Sequence, residues 1–170
     1  MCRHERRSII MRIVVMSDSH RLFSSVQRII EAQPDADMYI HLGDAEGSMD
    51  MAHIIYPDKK FFCVRGNCDS DISLSADLVI PVDEKHSIFA THGHRYGVHY
   101  STKELVAEAK KNGCDIACYG HTHVTENTYS DGMYILNPGS CTCPRDSSQR
   151  TYAFIDIGNH GVFITIAPLK

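Results

Sequence analysis

Ile9-Ile10-Met11-Arg12-Ile13-Val14-Val15-Met16-Ser17-Asp18-Ser19-His20 decides the fold. A β-branched apolar run that stops at Ser17-Asp18 reads as a largely buried strand with a polar end. Behind it, Leu22, Val26, Ile29 and Ile30 recur at helical spacing, and Pro34 closes that helix. Asp37 to Leu42 is a second strand, stopped by Gly43. A helix over Met49 to Tyr56 ends at Pro57, and Phe61 to Val64 is a third strand, broken by Gly66-Asn67. The order β-α-β-α-β implies parallel strands joined by crossover helices.

After Asp69 the pattern changes. Leu78–Ile80 and Ser87–Ala90 flank Asp83-Glu84-Lys85 as a hairpin. Ser101 to Lys111 is a helix, with Ser101 as its cap, Glu104 at the capping-box position and Asn112-Gly113 as its stop. Ile116 to Tyr119 is a strand ending at Gly120. Val124–Tyr129 with Met133–Leu136, and Thr151–Ile157 with Gly161–Ala167, are two further hairpins. The expected fold is α/β: a parallel first half and an antiparallel second half, forming two packed mixed β-sheets flanked by helices. One domain spans residues 1–170, with 1–8 as a poorly structured N-terminal extension.

Composition narrows the function. The 170 residues are 43% apolar and 22% charged, which excludes a disordered chain, a fibrous repeat and a coiled coil. No uninterrupted apolar stretch is long enough to span a membrane. Arg12 interrupts the early apolar run, so a signal peptide is not expected. A net charge of −4 argues against long nucleic acid as a partner. Seven cysteines without an export signal suggest free thiols and a cytoplasmic location. Histidine is the exception: there are 11, and six lie between His86 and His123.

Position gives these histidines meaning. Successive strands end in Asp18-Ser19-His20, Gly43-Asp44, Gly66-Asn67-Cys68-Asp69, Thr91-His92-Gly93-His94 and Gly120-His121-Thr122-His123. In open α/β sheets, ligands sit beyond the carboxyl ends of strands. Asp18, His20, Asp44, Asn67, His92, His121 and His123 are thus delivered to one edge. Gly43, Gly66, Gly93 and Gly120 allow sharp turns there. Residues two apart in an extended segment share a side, which would let Asp18 and His20, and His121 and His123, converge in pairs. These oxygen and nitrogen donors suit divalent manganese, the expected ion, with iron, zinc or nickel as alternatives. They are too many for one ion. Two ions roughly 3.5–4 Å apart, sharing a carboxylate and a water, would use them all.

These five blocks resemble those of the calcineurin-like metallophosphoesterase superfamily. Asn137-Pro138-Gly139-Ser140 resembles a further block of its small YfcE-type phosphodiesterases. The resemblance runs from about Met11 to the C-terminus. It implies a four-layer α-β-β-α sandwich and a dinuclear site that hydrolyses a small phosphodiester. One metal would be held by Asp18, His20, Asp44 and His123. The other would be held by Asp44, Asn67, His92 and His121, with Asp44 bridging. Two divalent ions against Asp18 and Asp44 leave a charge of about +2, which attracts a phosphodiester and favours in-line attack by a bridging hydroxide.

One residue departs from the commoner family pattern: Cys68 stands where many members carry histidine. A thiol is a weaker proton donor than an imidazolium. Either the leaving group departs with little help or His94 protonates it. Asp44, Asn67, Cys68 and His94 are therefore the candidate catalytic residues, and Asp69 is expected to orient a neighbour. The bland alternatives are specific. Asp18 and His20 could cap the following helix. Asn137-Pro138-Gly139-Ser140 could be a tight turn rather than a phosphate-binding loop. His41, His53, His86 and His99 lack motif context and are expected on the surface or satisfied in the core. Cys141-Thr142-Cys143 is expected to be an ordinary loop. A non-catalytic interaction scaffold on the same fold, or a phosphomonoesterase or nuclease, are the competing functions. Homo-oligomer formation is left open.

Overall fold

A computed structural model describes residues 11–146 and 149–170. The expected N-terminal extension lies outside the described residues. The elements run β1 (Met11–Met16), α1 (Phe23–Ala32), β2 (Met38–His41), α2 (Ser48–Ile55), β3 (Phe61–Cys63), β4 (Asp77–Pro81) and β5 (Ser87–Thr91). They continue with α3 (Lys103–Lys111), β6 (Ile116–Cys118), β7 (Thr125–Ser130), β8 (Met133–Pro138), β9 (Thr151–Gly158) and β10 (Gly161–Pro168).

Two five-stranded sheets form, ordered β10-β9-β1-β2-β3 and β4-β5-β6-β8-β7. β1 shows how the layers arise. Ile13 and Val15 face the second sheet, packing with Ile88, Ile116 and Leu136. Val14 and Met16 face outward against Val26, Ile29 and Ile30 of α1 and Met49 and Ala52 of α2. Because both faces are covered, the strand is apolar throughout rather than alternating. The second sheet repeats this on its far side, where Phe89, Ala117 and Ile135 pack with Leu105 and Ala109 of α3. The result is the expected α-β-β-α arrangement.

The expected antiparallel second half is corrected. In the second sheet β5, β6 and β8 run parallel, with antiparallel edge strands β4 and β7, while β9 and β10 form the expected antiparallel hairpin on the first sheet. The reason is α3, which makes β5-α3-β6 a crossover unit like those of the first sheet. The carboxyl ends of β1, β2, β5 and β6 consequently open onto one edge. Ser101 lies one residue before the α3 cap position, Thr102, and its Oγ accepts the Lys103 N–H at 3.2 Å.

Candidate metal centre

The loops leaving those strand ends carry unusual backbone. Asp18 (φ 55°), His20 (43°), Asp44 (55°), His121 (67°) and His123 (59°) all occupy the left-handed region. Side chains there cost about 1–2 kcal/mol each, and such residues concentrate at functional sites. This corrects the extended-segment argument: Asp18 and His20, and His121 and His123, reach the same region through left-handed turns, not strand alternation. Asp18 and His20 do not cap α1 either, since its cap position is Leu22 and no side chain caps it.

Close approach of the loops explains Gly66 and Gly120, neither of which has a positive φ. A Cβ at Gly66 would collide with Asp44 Oδ1, and one at Gly120 with Ser17 Oγ. Asp69 fixes this crossing. Its carboxylate accepts the N–H groups of Asp44 (2.8 Å), Glu46 (2.7 Å) and Gly66 (2.7 Å). Asp44 Oδ1 in turn accepts the Cys68 N–H at 2.8 Å.

The imidazoles are oriented by their Nδ1 atoms. His92 Nδ1 donates to Leu42 O (2.7 Å) and His123 Nδ1 to Cys143 O (2.6 Å). His20 Nδ1 donates to the Glu46 carboxylate at 2.9 Å. Each partner can only accept, so each ring presents Nε2 to the site. His92 Nε2 meets Asn67 Oδ1 at 3.1 Å, Asp44 Oδ2 at 3.4 Å and Asp18 Oδ1 at 4.0 Å. His20 Nε2 and His123 Nε2 lie 3.4 Å apart, and His123 Nε2 is 3.2 Å from Asp18 Oδ1. In neutral rings these are lone pairs facing lone pairs. Such an array needs a cation among its members, either a proton or a metal.

Asp18 makes the point most sharply. It is fully buried, and its Oδ1 has no hydrogen-bond partner. Burial alone would raise its pKa, but His123 and His92 outweigh burial and hold it below the usual carboxylate range. Asp44 is lowered likewise: burial is opposed by the hydrogen bond and charge of His92. A buried, ionised, under-bonded carboxylate among imidazole nitrogens fits a divalent metal.

Three compact donor groups result among the described residues: Asp18 with His20 and His123; His20 with Asp44 and Cys68; Asp18 with Asp44 and His92. Within each, the potential ligand atoms lie within 4.8 Å of one another. Asn67 adjoins through His92. His121 belongs to none of the three groups. Its N–H donates to Asp18 Oδ2 at 3.2 Å and its ring lies 5.1 Å from that of His92. Burial, then His92 and His99, push its imidazole down to about 4, leaving it neutral at pH 7. His94 sits 5.4 Å from His92, ring to ring, and its Nδ1 is buried without a hydrogen bond. Burial, reinforced by Asp44, pushes the exposed Cys68 thiol up to about 11.

Several participants escaped the sequence reading. Glu46 orients His20, and the Cys143 carbonyl orients His123. His99, expected on the surface or in the core, packs its ring 4.6 Å from that of His121. Asn137 and Ser140 brace the loops. Asn137 Nδ2 donates to Gly120 O at 3.0 Å, and Ser140 Oγ donates to Asp18 O at 2.9 Å. Several backbone donors there are used internally: Gly139 N–H on Asn137, and, just after the segment, Cys141 N–H on Ser17 and Thr142 and Cys143 N–H on Ser140. The segment thus braces the ligand loops. Cys141 is buried and its thiol is pushed up to about 12 by burial. His41 is a satisfied core residue, its Nδ1 accepting Gly43 N–H and its Nε2 meeting Ser19 Oγ.

The chain is 29% identical over 150 residues to the probable metallophosphoesterase YsnB of Bacillus subtilis, covering 88% of this chain and 86% of that one. It is 28% identical to phosphodiesterase YfcE of Escherichia coli K12, covering 86% and 88%. A crystal structure from Streptococcus pneumoniae, described as a predicted phosphoesterase, superposes with a TM-score of 0.80 at 27% identity, covering 94% and 90%. Vacuolar protein sorting 29 of Cryptosporidium parvum shares the fold, with a TM-score of 0.73 at 16% identity over 94% and 97%. Residues 11–160 match the family model of the calcineurin-like phosphoesterase superfamily domain, and the chain belongs to that superfamily.

Proposed function

We propose that this chain is a metal-dependent phosphodiesterase acting on a small phosphodiester at a dinuclear centre. The observation that carries the reading is the set of Nε2 and carboxylate atoms, from Asp18, His20, Asp44, His92 and His123, that converge within ion-binding distance of one another. Asp18, His20, Asp44 and His123 would hold one ion; Asp44, Asn67, His92 and His121 the other. Bound there, two divalent cations supply the water activation and charge neutralisation that phosphodiester hydrolysis needs.

The protein's own contribution is positional. Leu42 O, Cys143 O and Glu46 fix the tautomers and aim of three imidazoles. Asp69 locks the Asp44 and Gly66 loops together. Asp18 and Asp44 supply the negative charge that makes the site selective for cations. Cys68 and His94 are the groups placed to deliver a proton to the departing alcohol. A thiol does this poorly, so esters with acidic leaving groups should react fastest. A steep dependence of rate on leaving-group pKa supports the assignment, and a flat one argues for a competent general acid.

An interaction scaffold on the same fold would need none of this buried, under-bonded polarity. The test is a screen of phosphodiesters and phosphomonoesters with manganese added, then removed by chelation. Diester turnover that disappears with the chelator and returns with manganese supports the proposal. Turnover retained without metal, or confined to monoesters, refutes it.

A further inference from the structure

Two cavities flank the ligand loops, and they differ in charge. One, about 420 Å³, is lined by Glu46, Asp50, Asp69 and Asp71 with His53 and Cys63, and is acidic. The other, about 540 Å³, is lined by Val98, His99, Thr122, Val124, Glu126 and Arg145. The second adjoins the candidate centre directly. Thr122 lies between His121 and His123, and the His99 ring packs 4.6 Å from that of His121.

Arg145 is the unusual wall. Its backbone is pinned, with its N–H donating to His123 O at 3.0 Å. The next residue, Asp146, accepts both the N–H and the Oγ1–H of Thr125 at 2.7 Å. Yet among the described residues no salt bridge or side-chain hydrogen bond engages the exposed Arg145 guanidinium. Its positive charge is close enough to act on His123. Glu126, across the cavity, is already engaged, its carboxylate accepting the hydroxyls of Tyr119 and Thr128. A chain with a net charge of −4 thus presents, on pinned backbone beside the centre, a cation that no salt bridge or side-chain hydrogen bond among the described residues pairs.

We infer that this cavity seats one alcohol arm of the substrate and that Arg145 selects an arm bearing a second anionic group, a carboxylate or a phosphate. The inference rests on the phosphodiesterase reading. Val98, Val124 and the His99 ring give the arm an apolar bed, and the guanidinium meets its end. The same arm turned toward Glu46, Asp50, Asp69 and Asp71 would be repelled. Arg145 is a specificity residue here, remote from the reacting atoms.

The test uses three p-nitrophenyl phosphodiesters that differ only at the end of the second alcohol: 2-carboxyethyl, the corresponding carboxamide, and a 2-phosphonoethyl arm. With manganese present, the wild type should favour each anionic arm over the amide by about tenfold in kcat/KM, mostly through KM. The larger of the two preferences identifies the anion. In Arg145→Gln both ratios should fall to near one, while Arg145→Lys keeps most of the preference. Arg95→Gln, at an exposed arginine beside Asp77, should leave the ratios unchanged. Turnover of all three esters at equal kcat/KM, or a preference that survives in Arg145→Gln, overturns the inference alone. Turnover of none overturns the phosphodiesterase reading and the inference with it.

Discussion

The two ends of these sheets solve the same problem in opposite ways. At the end remote from the site, His86 Nδ1 meets Asp115 Oδ2 at 2.6 Å, and Asp115 Oδ1 accepts Ser87 N–H at 3.0 Å. At the neighbouring strand, Arg12 engages Asp156 through two bonds of 2.7 Å. Each of these side chains meets a partner within the protein. At the carboxyl end, carboxylates and imidazoles crowd together, Asp18 Oδ1 without a hydrogen-bond partner, on backbone held in left-handed turns. Both ends are rich in Asp and His, so composition does not distinguish them. Satisfaction does: one end pairs within the protein, and the other gathers donor atoms that the proposed metal ions would complete.

This contrast makes unequal demands on substitution. The largest effect should come from Asp44→Asn, which keeps an acceptor for Cys68 N–H but removes the shared charge. Diester turnover should fall by about a thousandfold or more, while the metal-free protein melts no lower than wild type. A melting temperature that collapses with activity would mean that Asp44 is a fold residue. Next is Gly66→Ala. Its Cβ must push Asp44 aside, and a displacement of about 1 Å should cost about a hundredfold in turnover. Near-normal activity in that variant would show that the crossing of the two loops is not needed.

Metal should act on stability as well. At a hundred times its Kd, a ligand adds about 2.7 kcal/mol, so manganese should raise the melting temperature by roughly 5–10 °C. Asp44→Asn should lose most of that rise. Acid should act through His41. Burial pushes its folded pKa down to about 4 from 6.5, so the neutral ring's stabilisation is complete above pH 6.5. It is lost as pH falls from 6.5 toward 4, and His41→Gln should flatten that slope in urea titrations of metal-free protein. The smallest effect belongs to the remote end. Asp115→Asn, at a partly exposed pair, should cost about 1 kcal/mol by urea unfolding, with turnover per folded molecule unchanged. Loss of turnover there would erase the distinction between the ends.

Much of this was readable along the chain. Apolar runs ending in Asp, Asn or His locate the edge, because both the run and its stop are local. The left-handed turns at Asp18 and His121 were not readable, since neither aspartate nor histidine announces a positive φ as glycine does. The parallel pairing of β6 with β8 was hidden by the hairpin partner β7 that intervenes in sequence. Glu46 acts through a bond to a loop distant in the chain, Asp69 (expected to orient a neighbour) binds backbone N–H groups of Asp44, Glu46 and Gly66, and the group that orients His123 is a backbone carbonyl, which carries no residue signature. His99 and Arg145 gain meaning only from the packing that brings them to His121 and His123.

If these donors are built for cations, the purified chain should bind them in a fixed ratio. Titrating chelated protein with manganese, followed by calorimetry and metal analysis, should give about two ions per chain, with diester turnover rising in step and Asp18→Asn binding fewer. Saturable binding of no ion, with turnover undiminished in chelator, would contradict the account.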